Sequence, residues 1–252
     1  MMIRKSVQLV ALTLGSALLA APADVRADDT SPLSVDLSTG IMSDYMWRGF
    51  NLYNGISIQP SGTVEYDLGD MGTIGGNLWM HLSAEGDTPP EKFTEMDETV
   101  YYSIGFDSVT LKTGFIWYTY PDDSDDLEDA TEYFASVSYA DENFIGALNP
   151  VFAFYDEFKV TDSQYYELGL SHELEIASMG EGFKFTPYVT FGFASNADDV
   201  FGDNGLVQIT EGINIPLNWG VISVTPSLNY THKIADNTNN EFWAGIIFGY
   251  SL

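Results

Sequence analysis

A period of two constrains this chain more than any other feature. From residue 33 onward, apolar and polar side chains alternate through twelve stretches: 33–46, 55–68, 73–84, 97–107, 109–120, 130–140, 147–158, 164–175, 183–194, 205–217, 221–232 and 240–252. Alternation is the mark of a β-strand with one apolar and one polar face. In the third stretch Ile74, Gly76, Leu78, Met80 and Leu82 share one face, and Thr73, Gly75, Asn77, Trp79 and His81 the other. In the eleventh, Ile222, Val224, Pro226, Leu228 and Tyr230 oppose Ser223, Thr225, Ser227 and Asn229. The last stretch, Phe242 to Leu252, carries no charge, although the formal net charge of the chain is −28.

These stretches are too long for an ordinary globular sheet. Globular strands commonly run about five or six residues, whereas a tilted membrane span needs about nine to eleven. The links alternate as well. Those after even-numbered stretches are short: 69–72, 108, 141–146, 176–182 and 218–220. Those after odd-numbered stretches are mostly longer and acidic, above all 85–96, 121–129 and 195–204. An even strand count, short turns on one rim, longer loops on the other and both ends on the short-turn side predict an all-β fold, an antiparallel transmembrane β-barrel of twelve strands. A soluble barrel alternates too, because the period does not say which face is outside. Pro150, Pro187 and Pro226 fall within predicted strands and lack a ladder donor, so either bulges or shifted strand boundaries are expected there.

The first residues read as a secretory signal peptide. Arg4 and Lys5 form a positive start, residues 7–21 an apolar stretch, and Val25-Arg26-Ala27 a cleavage site. The expected division is therefore residues 1–27 as signal peptide and 28–252 as outer-membrane barrel. No later run is apolar for about 18 residues, as a transmembrane helix requires. Absence of cysteine excludes disulfides. Cleavage removes three of nine basic residues and one of 37 acidic ones, leaving a net charge near −30. Nucleic acid is excluded as a partner, because phosphate binding needs Lys/Arg patches. The expected partners are outer-membrane lipid, small solutes and the barrel-assembly machinery, which reads a C-terminal strand of the 242–252 type. Such signals usually end on an aromatic residue; here Leu252 ends the chain and Tyr250 lies two before it.

Four motifs carry a family resemblance: Ser43 to Gly49 (SDYMWRG), Gly75 to Trp79 (GGNLW), Tyr118 to Pro121 (YTYP) followed by Glu132-Tyr133-Phe134, and Tyr165 to Leu174 (YYELGLSHEL). Together they resemble the proteobacterial family of outer-membrane porins labelled TorF-type. That resemblance implies a barrel in the bacterial outer membrane and brings no catalytic residues. The acidic run 122–132 departs from the family pattern.

Strand parity nominates the candidate lumen and mouth residues: Asp44, Arg48, Trp79, His81, Lys112, Tyr118, Tyr120, Glu132, Glu167 and Glu241. Further acids of the same parity, Glu65, Asp67, Asp97, Glu157 and Glu173, outnumber the bases Lys112, Lys184 and Arg48. Tyr101, Tyr155, Tyr165, Tyr188 and Trp243 should narrow the lumen. Arg48 is expected to pair with Glu241 where the first strand meets the last, and Glu173 with Lys184 at the inner rim. His81, His172 and His232 have no nucleophile at recognisable spacing, so catalysis is not expected. The run Asp122 to Glu132 lacks the spacing of an EF-hand and reads as a solvated loop that loosely holds divalent cations at the outer surface. No cofactor is implied. The sequence thus predicts a monomeric, porin-like, passive channel for small cations or neutral solutes. The alternatives are a sealed structural or surface-interaction barrel, or an outer-membrane hydrolase.

Overall fold

The computed structural model describes residues 31–84, 93–121, 128–140, 147–176 and 183–252. The signal segment, most of the acidic run 122–132, much of the link 85–96 and the turn 177–182 lie outside the described residues.

The alternating stretches form the strands β1 (Leu33–Trp47), β2 (Phe50–Asp67), β3 (Thr73–Ser83), β4 (Glu95–Phe106), β5 (Val109–Thr119), β6 (Ala130–Tyr139) and β7 (Val151–Glu157). They continue as β8 (Ser163–Ser171, resuming at Leu174–Glu175), β9 (Lys184–Ser195), β10 (Gly205–Asn214, resuming at Leu217–Trp219), β11 (Ile222–Lys233) and β12 (Glu241–Ser251). Each strand pairs antiparallel with its chain neighbours. Strand β1 also pairs with β12, from Asp36↔Ser251 to Met42↔Gly245, and this closes a barrel of twelve strands. Closure leaves no unpaired edge, the condition for a sheet in lipid.

Prolines explain the two interrupted strands. Pro187 of β9 lies beside the gap after Ser171, where its carbonyl accepts the His172 N–H at 3.1 Å. Pro226 of β11 lies beside the gap after Asn214, where its carbonyl accepts the Ile215 N–H at 2.9 Å. In each case the neighbouring strand breaks where proline offers no donor. Pro150 sits just before β7 rather than inside it.

The apolar parity faces outward. Leu37 is 51% exposed and Leu228 55%, and Val64, Val100, Phe115 and Phe248 stand with them. The opposite face buries Tyr118 at 0% and Tyr155 at 2% exposure. Large apolar side chains outside a closed sheet and polar ones inside are the inverse of a soluble barrel and the arrangement of a lipid-embedded one. The protein is a barrel of the bacterial outer membrane.

The lumen has two unlike halves. On the rim bearing the longer links, the outer rim in such barrels, inward residues such as His81, Tyr118, Tyr155, Tyr165 and Thr231 are buried. Toward the opposite rim, inward residues such as Asn77, Lys112, Ser136, Ser171 and Thr225 are only half-buried. The β1–β2 link is the exception on the outer rim. It was expected to span residues 47–54, yet it is only Arg48 and Gly49, at φ 43° and 91°. A two-residue hairpin with both φ positive matches the twist of its strands.

Candidate functional site

Register irregularities in β1 build the outer half of the lumen. Shifts occur between Met42 and Asp44 and between Tyr45 and Met46. Each adds twist and re-aims the residues beyond it. Asp44 stays inside, as its parity predicted, but Tyr45 and Trp47 also turn inward, at 2% and 4% exposure.

The hairpin tip then sends Arg48 into the barrel. Its Nη1 donates to Glu132 Oε1 at 2.9 Å and its Nη2 to Glu132 Oε2 at 3.1 Å. This fork-on-carboxylate geometry is the strong form of the ion pair. Tyr118 donates to Glu132 Oε2 at 2.9 Å. The guanidinium carbon lies 4.8 Å from the Trp47 ring, 4.5 Å from Tyr155 and 4.2 Å from Tyr165. All three distances are within the reach of a cation–π contact. Gln208 Nε2 donates to the Tyr165 hydroxyl at 3.0 Å, and that hydroxyl lies 3.5 Å from Glu167. Arg48 therefore pairs with Glu132 and not with Glu241. Glu241 starts β12 opposite Thr231 and is half-buried. The expectation failed because the tip turns inward across the lumen instead of running along the closing seam.

A second cluster lies beside the first. His81 stacks on Tyr45 with ring centroids 4.6 Å apart and meets Tyr53 edge-on at 5.6 Å. Its Nδ1 is 2.5 Å from the Thr94 hydroxyl. Trp79 packs on Tyr45 at 5.5 Å, and Tyr45 donates to Glu95 at 2.8 Å. Asp44 accepts from Asn51 at 3.2 Å and from Ser43 at 2.6 Å. Tyr120 is buried in the same aromatic core.

Loops cover these clusters. The short helix α1 (Asp198–Phe201) presents Phe201, which packs on Phe50 at 5.0 Å and on Tyr165 at 5.9 Å. Asn239 ties down the hairpin: its side chain accepts the Asn51 N–H at 3.0 Å and its own N–H donates to the Gly49 carbonyl at 2.7 Å. A Cβ at Gly49 would lie 2.8 Å from Gln208 Cβ, so glycine is required there for space as well as for φ.

The inner half is polar and less buried. Lys112 Nζ sits 3.7 Å from the Tyr101 ring, and Tyr101 donates to Glu65 at 2.6 Å. Glu173 and Lys184 pair at 2.8 Å on the inner rim, as expected, although the residue opposite Lys184 is Glu175. The outward-facing His232 pairs with Glu211 at 3.1 Å, and His172 Nδ1 is 3.0 Å from the Ala147 carbonyl. Among the described residues no three His, Cys, Asp or Glu side chains gather as a metal site.

A family model described as a bacterial protein of unknown function (Gcw_chp) matches residues 26–181, more than half of the chain. The chain belongs to the Gcw_chp family. No curated protein matches this family member. Among solved structures it is similar to LpxR from Salmonella typhimurium, at 8% identity and TM-score 0.55, over 86% of this chain and 99% of that one. It is similar to an outer membrane channel from Pseudomonas putida F1 at 11% identity and TM-score 0.54, over 92% and 99%. The NanC porin matches at 11% identity and TM-score 0.50, over 86% and 98%. At such identities the likeness is one of fold: an outer-membrane barrel of the kind that includes channels.

Several residues of the outer cluster were not foreseen. Tyr45 and Trp47 were hidden by the β1 irregularities, which shift parity without any proline to mark them. Phe201 lies in a link, where period-two reasoning does not apply.

Proposed function

We propose that this barrel is a narrow, passive channel for small cations, closed at its outer half in this conformation by the Arg48–Glu132 latch. One observation carries the reading. Among the described residues, six carboxyl side chains are buried in the outer half of the lumen, those of Asp44, Glu95, Asp97, Glu132, Glu157 and Glu167, and the guanidinium of Arg48 is the one buried Lys or Arg group beside them. A low-dielectric passage in which acidic groups outnumber basic ones concentrates cations wherever those acids are ionised. Farther in, Lys112 is stacked on Tyr101 and Lys184 is paired with Glu173, while Glu65 lines the wall beside Tyr101. The motifs that resemble those of TorF-type porins support a channel without indicating its solute, and neutral solutes small enough for the passage fit it as well.

Trp47, Phe50 and Phe201 pack together under the outer loops and favour a second reading, a sealed structural barrel. Against a hydrolase, the His81 ring is buried in the aromatic core, packed against Tyr45, Trp79 and Tyr53. We therefore read the barrel as non-enzymatic. Planar-bilayer recording of purified, folded protein tests the choice: discrete conductance steps are expected, and a silent membrane for both the wild type and Arg48→Ala would select the sealed barrel.

A further inference from the structure

The Arg48 guanidinium is held by a receptor that the barrel wall builds without it. Glu132, Tyr118, Tyr155 and Tyr165 come from β5 to β8, four consecutive strands whose register is set by ladder pairs such as Tyr118↔Ala130, Glu132↔Glu157 and Tyr155↔Tyr165. Hydrogen bonds other than those to Arg48 hold three of these side chains in place. Tyr118 donates to Glu132, and Gln208 donates to Tyr165. The Tyr155 hydroxyl is buried with no hydrogen-bond partner among the described residues, so one ring of the receptor keeps an unused polar group. Arg48 itself arrives from the far end of a two-residue hairpin.

A carboxylate able to take a bidentate fork, flanked by aromatic faces, selects a planar guanidinium over a compact ammonium. The neighbouring Glu157 spends its carboxylate on the backbone N–H groups of Lys159, Val160 and Thr161, which leaves Glu132 and Glu167 to attract a cation. We infer that this wall site is a binding site for guanidinium-bearing small cations, and that Arg48 occupies it as a tethered internal ligand. The inference rests on the cation-channel reading and narrows its substrate class. A guanidinium solute would displace Arg48, take the fork of Glu132 and free the hairpin tip from the site.

The test uses methylguanidinium chloride on purified Arg48→Ala barrel in detergent, read by Trp fluorescence and by the thermal unfolding midpoint. A saturable fluorescence change and a rise in midpoint are expected for Arg48→Ala. At least tenfold higher concentration should be needed with methylammonium, which lacks the fork. Arg48→Ala combined with Glu132→Gln should lose the saturable response, and the wild type should show it only at much higher concentration. If Arg48→Ala does not fold alone, refolding yield becomes the readout, and methylguanidinium should restore it where methylammonium at equal concentration does not. Equal responses to the two cations, or no saturable response and no rescue, would overturn the inference. The binding assay needs no conductance. A silent barrel that binds methylguanidinium retires the channel and keeps the site, and a conducting barrel that does not bind it retires the site and keeps the channel.

Discussion

Arg48 and Glu132 face each other fork to carboxylate at 2.9 Å and 3.1 Å, although β2 and β6 stand four strands apart around the wall. Their side chains are 8% and 3% exposed. Removing one partner strands a buried charge, which typically costs about 3–5 kcal/mol, whereas replacing both with apolar groups of similar size is often close to neutral. Glu132→Gln and Arg48→Met should therefore each destabilise the barrel more than the Arg48→Met/Glu132→Leu double variant does. Urea unfolding in detergent measures this, and strictly additive losses would show that the two side chains do not act as a pair.

The outward apolar face should reject charge where the lumen accepts it. Leu228→Arg, on the lipid side, is expected to cost about 2–4 kcal/mol if it lies near the midplane. Thr225→Arg, one turn of the alternation away and facing the half-buried lumen, should cost clearly less. Gly245 would be a poor lumen control, because a Cβ there would lie 2.0 Å from the Met42 sulfur. Equal losses for Leu228→Arg and Thr225→Arg in lipid vesicles would contradict the assignment of faces.

Gly49 and Gly220 separate two uses of positive φ. Both have it, at 91° and 62°, but only Gly49 has atoms waiting where a Cβ would go. Gly220→Ala should cost about 1–2 kcal/mol, the backbone penalty alone. Gly49→Ala should cost more, because Gln208 and Thr238 must give way, and it should loosen the Arg48 latch. Comparable unfolding midpoints for the two variants would show that the hairpin tip is not tightly seated.

Glu173 and Lys184 make an ion pair of the opposite kind. Their side chains are 52% and 41% exposed on the inner rim. An exposed pair contributes under about 1 kcal/mol and is screened by salt. A double-mutant cycle with Glu173→Gln and Lys184→Met should give a small coupling that fades at high salt. A large, salt-insensitive coupling would mean that the rim is buried by something further.

The barrel was legible in the sequence because a closed sheet with lipid on one side forces strict alternation, and twelve runs obeyed it. Pro187 and Pro226 were marked as points of disturbance, since proline cannot donate to a ladder, but β9 and β11 run through them without a bulge and the breaks fall in the neighbouring β8 and β10. The aromatic lining was legible by parity from Trp79 to Trp243. Parity failed where the backbone changed step. The β1 irregularities turned Tyr45 and Trp47 inward, and the tight turn at Arg48 and Gly49 carried the arginine to Glu132 rather than to Glu241 at the seam. Both partners of the latch were recognisable as inward residues. Their pairing was not, because contacts across a lumen depend on hairpin direction, which has no period. Phe201 was beyond reach for the same reason, since a short helix in a link packs by shape alone.

The central claim is that cations pass through this lumen, and the reversal potential under a potassium chloride gradient measures that most directly. Wild type and Arg48→Ala should both reverse toward the potassium equilibrium potential, most clearly at low salt, where screening over about 8–10 Å is weakest. Arg48→Ala should conduct more and select cations more strongly, because it removes the positive charge set among the six buried carboxyl groups. Reversal toward the chloride equilibrium potential, or no conductance from either protein, would contradict it.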